Sequence, residues 1–193
     1  MIMEDMAEWH EWQEADRRLT RRVAGWRAPL ARRVLPAVRS AAEHTKLWWA
    51  AAAVMAAAGG LRGRTAAAAG LVGMGAAELV SNAVCKPLYE RRRPPEDLIP
   101  HGDVHERPDS SSFPSGHTAA AVGFTVAAAG AWPGAAAACA VPAVIVGVER
   151  VHSGAHYPSD VAAGAAVGLA AGLLVRRTPR LLLRHAARTA QRW

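Results

Sequence analysis

The chain has 193 residues (20.3 kDa), 51% of them hydrophobic but only 6% aromatic, and 45 are alanine. This length holds one domain, and the net charge of +7 is spread unevenly, with no Asp, Glu, Lys or Arg in residues 118–148 or 161–175. A soluble globule scatters charge every few residues and a disordered chain is poor in apolar ones, so both are excluded and a membrane protein is indicated.

Basic excess alone does not point to nucleic acid. Arg outnumbers Lys 21 to 2 in an alanine-rich chain, as a GC-rich coding bias produces, and no nucleic-acid partner is expected. Cys85 and Cys139 lie in apolar stretches without metal-type spacing, so neither a disulfide framework nor a zinc site is expected. The opening segment is too charged for a cleavable signal peptide, which leaves insertion to the later helices.

Residues 8–38 place Trp9, Trp12, Leu19, Val23, Trp26, Leu30, Val34 and Val38 at mostly three- and four-residue intervals, with Arg17, Arg18, Arg21 and Arg22 among them. That spacing predicts an amphipathic helix broken near Pro29 and Pro36. Trp on one side and Arg on the other suit a helix lying in the headgroup layer, and Arg27, Arg32, Arg33 and Arg39 make crossing costly. A helix packed on another protein has the same pattern. Residues 1–44 are therefore read as a basic interfacial arm.

Five apolar stretches follow, at 47–61, 65–85, 118–132, 134–148 and 161–175, and all predict helices. The expected architecture is an all-α integral-membrane bundle of about five spanning helices. Four stretches have only 15 residues, short of the ~20 that cross a bilayer, so each must borrow adjoining residues, thin the membrane locally or fail to span. Trp48, Trp49 and Trp132 stand at stretch ends, where aromatic belts sit. Pro133-Gly134 predicts a tight helical hairpin, and abundant Gly and Ala allow close helix approach.

Inside the second stretch Glu78, Asn82 and Lys86 recur every four residues, on one predicted face. A charge there needs a reason, either a hydrogen bond to a neighbouring helix or a part in chemistry. Pro87 is expected to kink or end this helix. The segment from there through Ser112 carries Arg91, Arg92, Arg93, several prolines and three consecutive serines, and predicts a polar loop without a core. Residues 176–193 form a basic tail.

Three polar segments at helix ends carry the chemistry. Lys86, Arg93 and Arg150 bring three positive charges to one anion, and the guanidiniums offer forked donors that match phosphate oxygens. Ser115 and Gly116 precede the uncharged run, so their backbone N–H groups are expected at a helix N-terminus, where an anion is favoured. His156 and Asp160 are four apart; on a helix the carboxylate would hold the imidazole tautomer that frees the other nitrogen to attack phosphorus, while His117 protonates the leaving oxygen. Singly, each has a plainer reading: a solvated or headgroup-binding run at Arg91–Arg93, an N-cap at Ser115 or Asp160, a structural role for either histidine.

Together they read as Lys, Arg-Pro seven residues on, Pro-Ser-Gly-His, then Arg with His six later and Asp four after that. This ordered set resembles the type 2 phosphatidic acid phosphatase superfamily over about residues 45–175, through a highly specific three-part signature. The resemblance implies that Lys86, Arg93, Ser115, Gly116 and Arg150 bind the phosphoryl group, His117 is the general acid, His156 the nucleophile and Asp160 its orienting partner. It also implies no metal or other cofactor, and a multi-pass cell-membrane enzyme whose partner is a lipid phosphate or diphosphate: phosphatidic acid, a polyprenyl diphosphate or a related polyprenyl-linked phosphate. Family members commonly have six spanning helices, the first of which the arm replaces here. One position departs from the pattern: Glu149 stands where Ser usually precedes the Arg, putting a carboxylate beside the phosphate site or a brace on Arg150.

Two other readings keep the motifs. Vanadium-dependent haloperoxidases and soluble acid phosphatases look similar at these residues but are disfavoured by the uncharged helices. A catalytically silent lipid-phosphate binder needs cations, not a nucleophile with its acid. The spacing of His101 and His105 could ligate a metal on a helix, yet Gly102 and the neighbouring prolines predict a loop.

Overall fold

The computed structural model describes residues 2–100 and 109–190, with side chains for 11–100 and 109–178. Regular structure there is helical throughout: α1 (Ile2–Ala24), α2 (Pro29–Ala42), α3 (Lys46–Ala58), α4 (Gly60–Leu79), α5 (Lys86–Leu88), α6 (Gly116–Ala128), α7 (Pro133–His152) and α8 (Pro158–Ala190). A π-helical turn, Val80–Cys85, joins α4 to α5. Pro87 explains that turn: its ring crowds the carbonyl four residues back, and a wider turn relieves the clash without ending the helix. His101 and His105 lie outside the described residues.

Among the described residues three helical segments are long and apolar enough to cross a membrane: Gly60–Leu88, Pro133–His152 and Pro158–Thr178. Helices α3 and α6 have 13 residues each and rise only about 20 Å. Helix α6 is the hub, packed between α4 and α8 with α7 on its flank, and Ala119, Ala120, Ala121, Phe124, Ala127 and Ala128 on it are buried. Backbones touch along this seam. A Cβ on Gly73 would lie 2.5 Å from the Gly123 carbonyl, and one on Gly168 would lie 2.4 Å from the Ala119 carbonyl. Small residues at these crossings let van der Waals contact hold helices together where lipid supplies no hydrophobic drive. The large aliphatics Val72, Leu79, Val141, Val144 and Leu174 point outward instead. Trp48 stacks obliquely on Phe124, ring centroids 5.4 Å apart. The tight hairpin at Pro133 is present, with the Trp132 N–H donating to the Ala128 carbonyl at 3.0 Å.

The N-terminal segment differs from expectation. Its break falls between α1 and α2, with Pro29 in the first turn of α2, where its missing N–H costs nothing. Pro36 stays inside α2 because it and Arg32, whose carbonyl loses its helical donor, are both exposed. On α1 the inward stripe is Asp16, Thr20 and Ala24, while Trp12 and Leu19 on it and Trp26 just after it are exposed. Helix α1 packs on α7, α8 and the short turn Glu96–Leu98. The loop after Arg93 also has a core: Leu98 and Ile99 are buried with Ala24 and Tyr157.

Candidate active site

The end of α4 with α5, the start of α6, the end of α7 and the turn before α8 meet at one end of the bundle. They enclose a cavity of about 290 Å³ lined by Lys86, Arg93, Gly116, His117, Arg150 and His156, with Glu78 and Asn82 beside them. The π turn keeps Glu78, Asn82 and Lys86 on one wall, and a Cβ at Gly116 would sit 3.3 Å from Asn82 Oδ1. Ser115 and Asp160, both expected at the site, lie behind this lining.

His156 is placed by a turn, not by a helix. Gly154 takes φ +68°, a left-handed conformation open to glycine, and the His156 N–H then donates to the Arg150 carbonyl at 3.0 Å. Helix α8 starts only at Pro158, so the expected helical pairing of His156 with Asp160 is absent. His156 Nδ1 lies 2.6 Å from the Ser112 carbonyl. A carbonyl can only accept, so the ring proton sits on Nδ1 and Nε2 carries a lone pair. Asp160 Oδ2 is 3.9 Å from Nδ1, too far for a hydrogen bond, and instead accepts the Tyr157 N–H at 2.8 Å. Asp160 Oδ1 accepts from Arg91 Nη1 at 2.6 Å. Burial, then the charges of Arg93 and Arg150, hold His156 well below the ordinary imidazole range against the opposing Ser112 hydrogen bond. Both effects favour the neutral imidazole, the form that can act as a nucleophile.

Ser115 is the N-cap of α6. Its hydroxyl accepts the Thr118 N–H at 3.4 Å and pairs with the Thr118 hydroxyl at 3.0 Å, and its own N–H donates to the Asp160 carbonyl at 3.0 Å. That N–H is therefore unavailable to an anion, contrary to expectation. The amides at the positive end of α6 that face no helical acceptor are those of Gly116 and His117. His117, ahead of the uncharged run from Thr118, is lowered to about 4 by burial first, then by Arg150, Lys86, Arg93 and His44.

The cations are aimed by carbonyls and one carboxylate. Arg93 donates from Nη1 to the Ala155 carbonyl at 2.8 Å and from Nη2 to the Ser110 carbonyl at 3.2 Å. Arg150 is bound through Nε to the buried carboxylate of Glu149. Glu149 is thus under Arg150, and it is Arg150 that faces the cavity. Sequence reasoning missed Arg39, Glu43, Ser110 and Ser153 on the lining, and Ser112 and Arg91 behind it. The first two sit one helical turn apart at the arm's end, a spacing visible in the sequence but without meaning until α2 is folded onto α7.

Similarity to known proteins covers the same residues. The chain is 35% identical over 107 residues to decaprenylphosphoryl-5-phosphoribose phosphatase of Mycobacterium tuberculosis (strain ATCC 25618 / H37Rv), a match covering 52% of this chain and 56% of that protein. It therefore spans little more than half the length of that relative. A shorter match, 47% identical over 57 residues, joins it to lipid A 1-phosphatase of Rhizobium etli, over 30% of this chain and 25% of that protein. In fold it is similar to the crystal structure of the first transmembrane PAP2 type phosphatidylglycerolphosphate phosphatase from Bacillus subtilis, with a TM-score of 0.66 at 23% identity over 88% of this chain and 87% of that one. Aquifex aeolicus LpxE gives a TM-score of 0.64 at 21% identity, over 82% and 92%. The family pattern of the PAP2 superfamily matches residues 66–183, which include every motif residue of the cavity, and the chain belongs to that superfamily.

Proposed function

We propose that the protein is a cell-membrane lipid phosphatase that hydrolyses a lipid phosphate or diphosphate through a phosphohistidine on His156. The observation that carries this reading is the 2.6 Å contact between His156 Nδ1 and the Ser112 carbonyl, which leaves Nε2 with its lone pair in a cavity lined by Lys86, Arg93, Arg150 and His117. The three cations bind the phosphoryl oxygens and stabilise the transition state without a divalent ion. Nε2 attacks phosphorus, the P–O bond to the lipid breaks, and His117 gives its proton to the leaving oxygen. Water then attacks the phosphohistidine with His117 as base, releasing phosphate. The cationic imidazole formed in between is balanced by Asp160, 3.9 Å from Nδ1.

The relatives' names favour lipid substrates, polyprenyl-linked phosphates among them. In this reading residues 45–175 form the catalytic unit, and α3 and α6 complete five spans by local thinning of the bilayer. Residues 1–44 lie on the membrane surface, with Trp12, Trp26 and Leu30 exposed on them, and 176–193 form the basic tail. The test is phosphate release by the purified protein from phosphatidic acid, a polyprenyl diphosphate and a polyprenyl-phosphoryl sugar phosphate, with and without chelator. Release from at least one lipid that survives chelator is expected. Release from none, or complete loss with chelator restored by added metal, contradicts the reading.

A further inference from the structure

Asp16 reaches the site from outside the residues 66–183 that the superfamily pattern covers. Its side chain is buried and accepts three hydrogen bonds: from Arg91 Nη2 at 2.7 Å, from the Ser159 N–H at 3.0 Å and from the Ser159 hydroxyl. Arg91 in turn donates from Nη1 to Asp160 Oδ1 at 2.6 Å and to the Ser159 hydroxyl oxygen at 2.7 Å. The Arg91 guanidinium lies over the Tyr157 ring, 4.3 Å from its centroid. One guanidinium is thereby held between two carboxylates from opposite ends of the chain, above the residue next to His156.

The contact to Ser159 adds a second restraint. Ser159 is in the first turn of α8, where backbone N–H groups have no helical acceptor, and Asp16 supplies one from another helix. Asp160 follows directly, bonding Tyr157 and, through its carbonyl, Ser115. The first turn of α8, the cap of α6 and the His156 turn are therefore tied together, and α1 closes the knot. Removing either partner of a buried ion pair leaves the other charge uncompensated, and a shift of a fraction of an ångström at a nucleophile is enough to slow it.

We propose that Asp16 is a positioning residue for His156, acting through Arg91 and Ser159 on Asp160, so that docking of the N-terminal arm completes the catalytic geometry. The proposal rests on His156 as nucleophile for its kinetic consequence but not for its structural one, and the test separates them. In the full-length protein, Asp16→Asn and Asp16→Glu are compared with wild type by two readouts. One is the rate at which diethylpyrocarbonate modifies His156, followed by mass spectrometry. The other is kcat and KM for a small water-soluble phosphomonoester, which does not depend on lipid capture by the arm.

Expected for Asp16→Asn is a several-fold faster modification of His156 and a kcat lower by roughly tenfold, with KM within about twofold. Asp16→Glu, which keeps the charge, recovers most of both. The double variant with Arg91→Gln loses no more than the worse single one, because both act along one route. Wild-type protection of His156 together with a kcat within about twofold of wild type, or fully additive losses in the double variant, would refute the proposal. A wild type that releases no phosphate from any ester refutes the phosphatase reading instead, and the protection of His156 then still decides whether Asp16 holds it.

Discussion

The middle of the bundle and its site end are held by opposite means. At the α4–α6–α8 seam there is no charge, and contact is between backbones across Gly73, Gly123 and Gly168. At the site end contact is through carboxylates, guanidiniums and carbonyls: Asp16–Arg91–Asp160, Glu149–Arg150, and Arg93 on Ala155. Seam packing is directionless and fixes how far apart the helices stand. Polar contacts are directional and fix where each reactive atom points. The seam brings the chain segments of the site to one place, and the polar contacts aim Arg93, Arg150 and His156 there.

The sharpest test of the polar end is His156→Ala. Turnover should fall by roughly 10⁴-fold or more, and alkaline rapid quenching should find phosphoryl label on the wild type and none on the variant. Label on His117 instead, or normal turnover, would mean that the network aims a different nucleophile. The seam is tested by Gly168→Val, whose Cβ has no room beside the Ala119 carbonyl at 2.4 Å. It should destabilise the bundle by about 1–3 kcal/mol and lower the thermal midpoint in detergent. An unchanged midpoint would mean the seam is looser than its geometry.

A third prediction concerns pH. His117 is lowered to about 4, so in the empty site it is neutral and has no proton to give at pH 5 to 8. The proton must arrive with the substrate, as a phosphate monoanion whose second pKa is near ~6. Its negative charge offsets Lys86, Arg93 and Arg150 and lets the proton pass to His117. For an alkyl phosphate, kcat/KM should be level from about pH 5 to 6 and then fall roughly tenfold per unit. A nitrophenyl ester, whose leaving group needs no proton, should fall less. Equal slopes for the two esters would remove His117 from the acid role.

The smallest effect is expected at Glu149. Glu149→Gln retains an acceptor for Arg150 but removes a negative charge from beneath the site, and KM should drop about threefold with kcat unchanged. A large loss of kcat would show that the ion pair, not the hydrogen bond, holds Arg150.

The sequence made the two regions unequally legible. Charge-free runs and Gly-Ala content announce spans and close packing directly, since a membrane interior tolerates little else, and the motif residues that gather at the cavity stand out by type and order. What stayed hidden depends on contacts between distant segments. Nothing near Asp16 marks it as the partner of Arg91, 75 residues on, because a single acidic residue on an amphipathic helix reads as part of its wet face. The Ser112 carbonyl is a backbone group, and no residue code announces which carbonyl a histidine will meet. Asp160 is legible by type, but its four-residue spacing from His156 implies a shared helical face, and the glycine turn at 154 removes that face.

The shortness of α6 has a consequence for the membrane around the protein. With the arm on the membrane surface as proposed, Arg39 and Glu43 on the cavity lining hold the His117 end of α6 at that surface, and a helix rising about 20 Å through a hydrocarbon layer of ~30 Å leaves its Ala128 end short of the opposite headgroups unless the bilayer yields. Lipid on the far side must then dip to meet α6, while an anion reaches the cavity from the side where the arm lies. Acyl-chain length then becomes a control variable: short-chain vesicles match the bundle undeformed, and long-chain vesicles have to sustain a thinned ring of lipid around it.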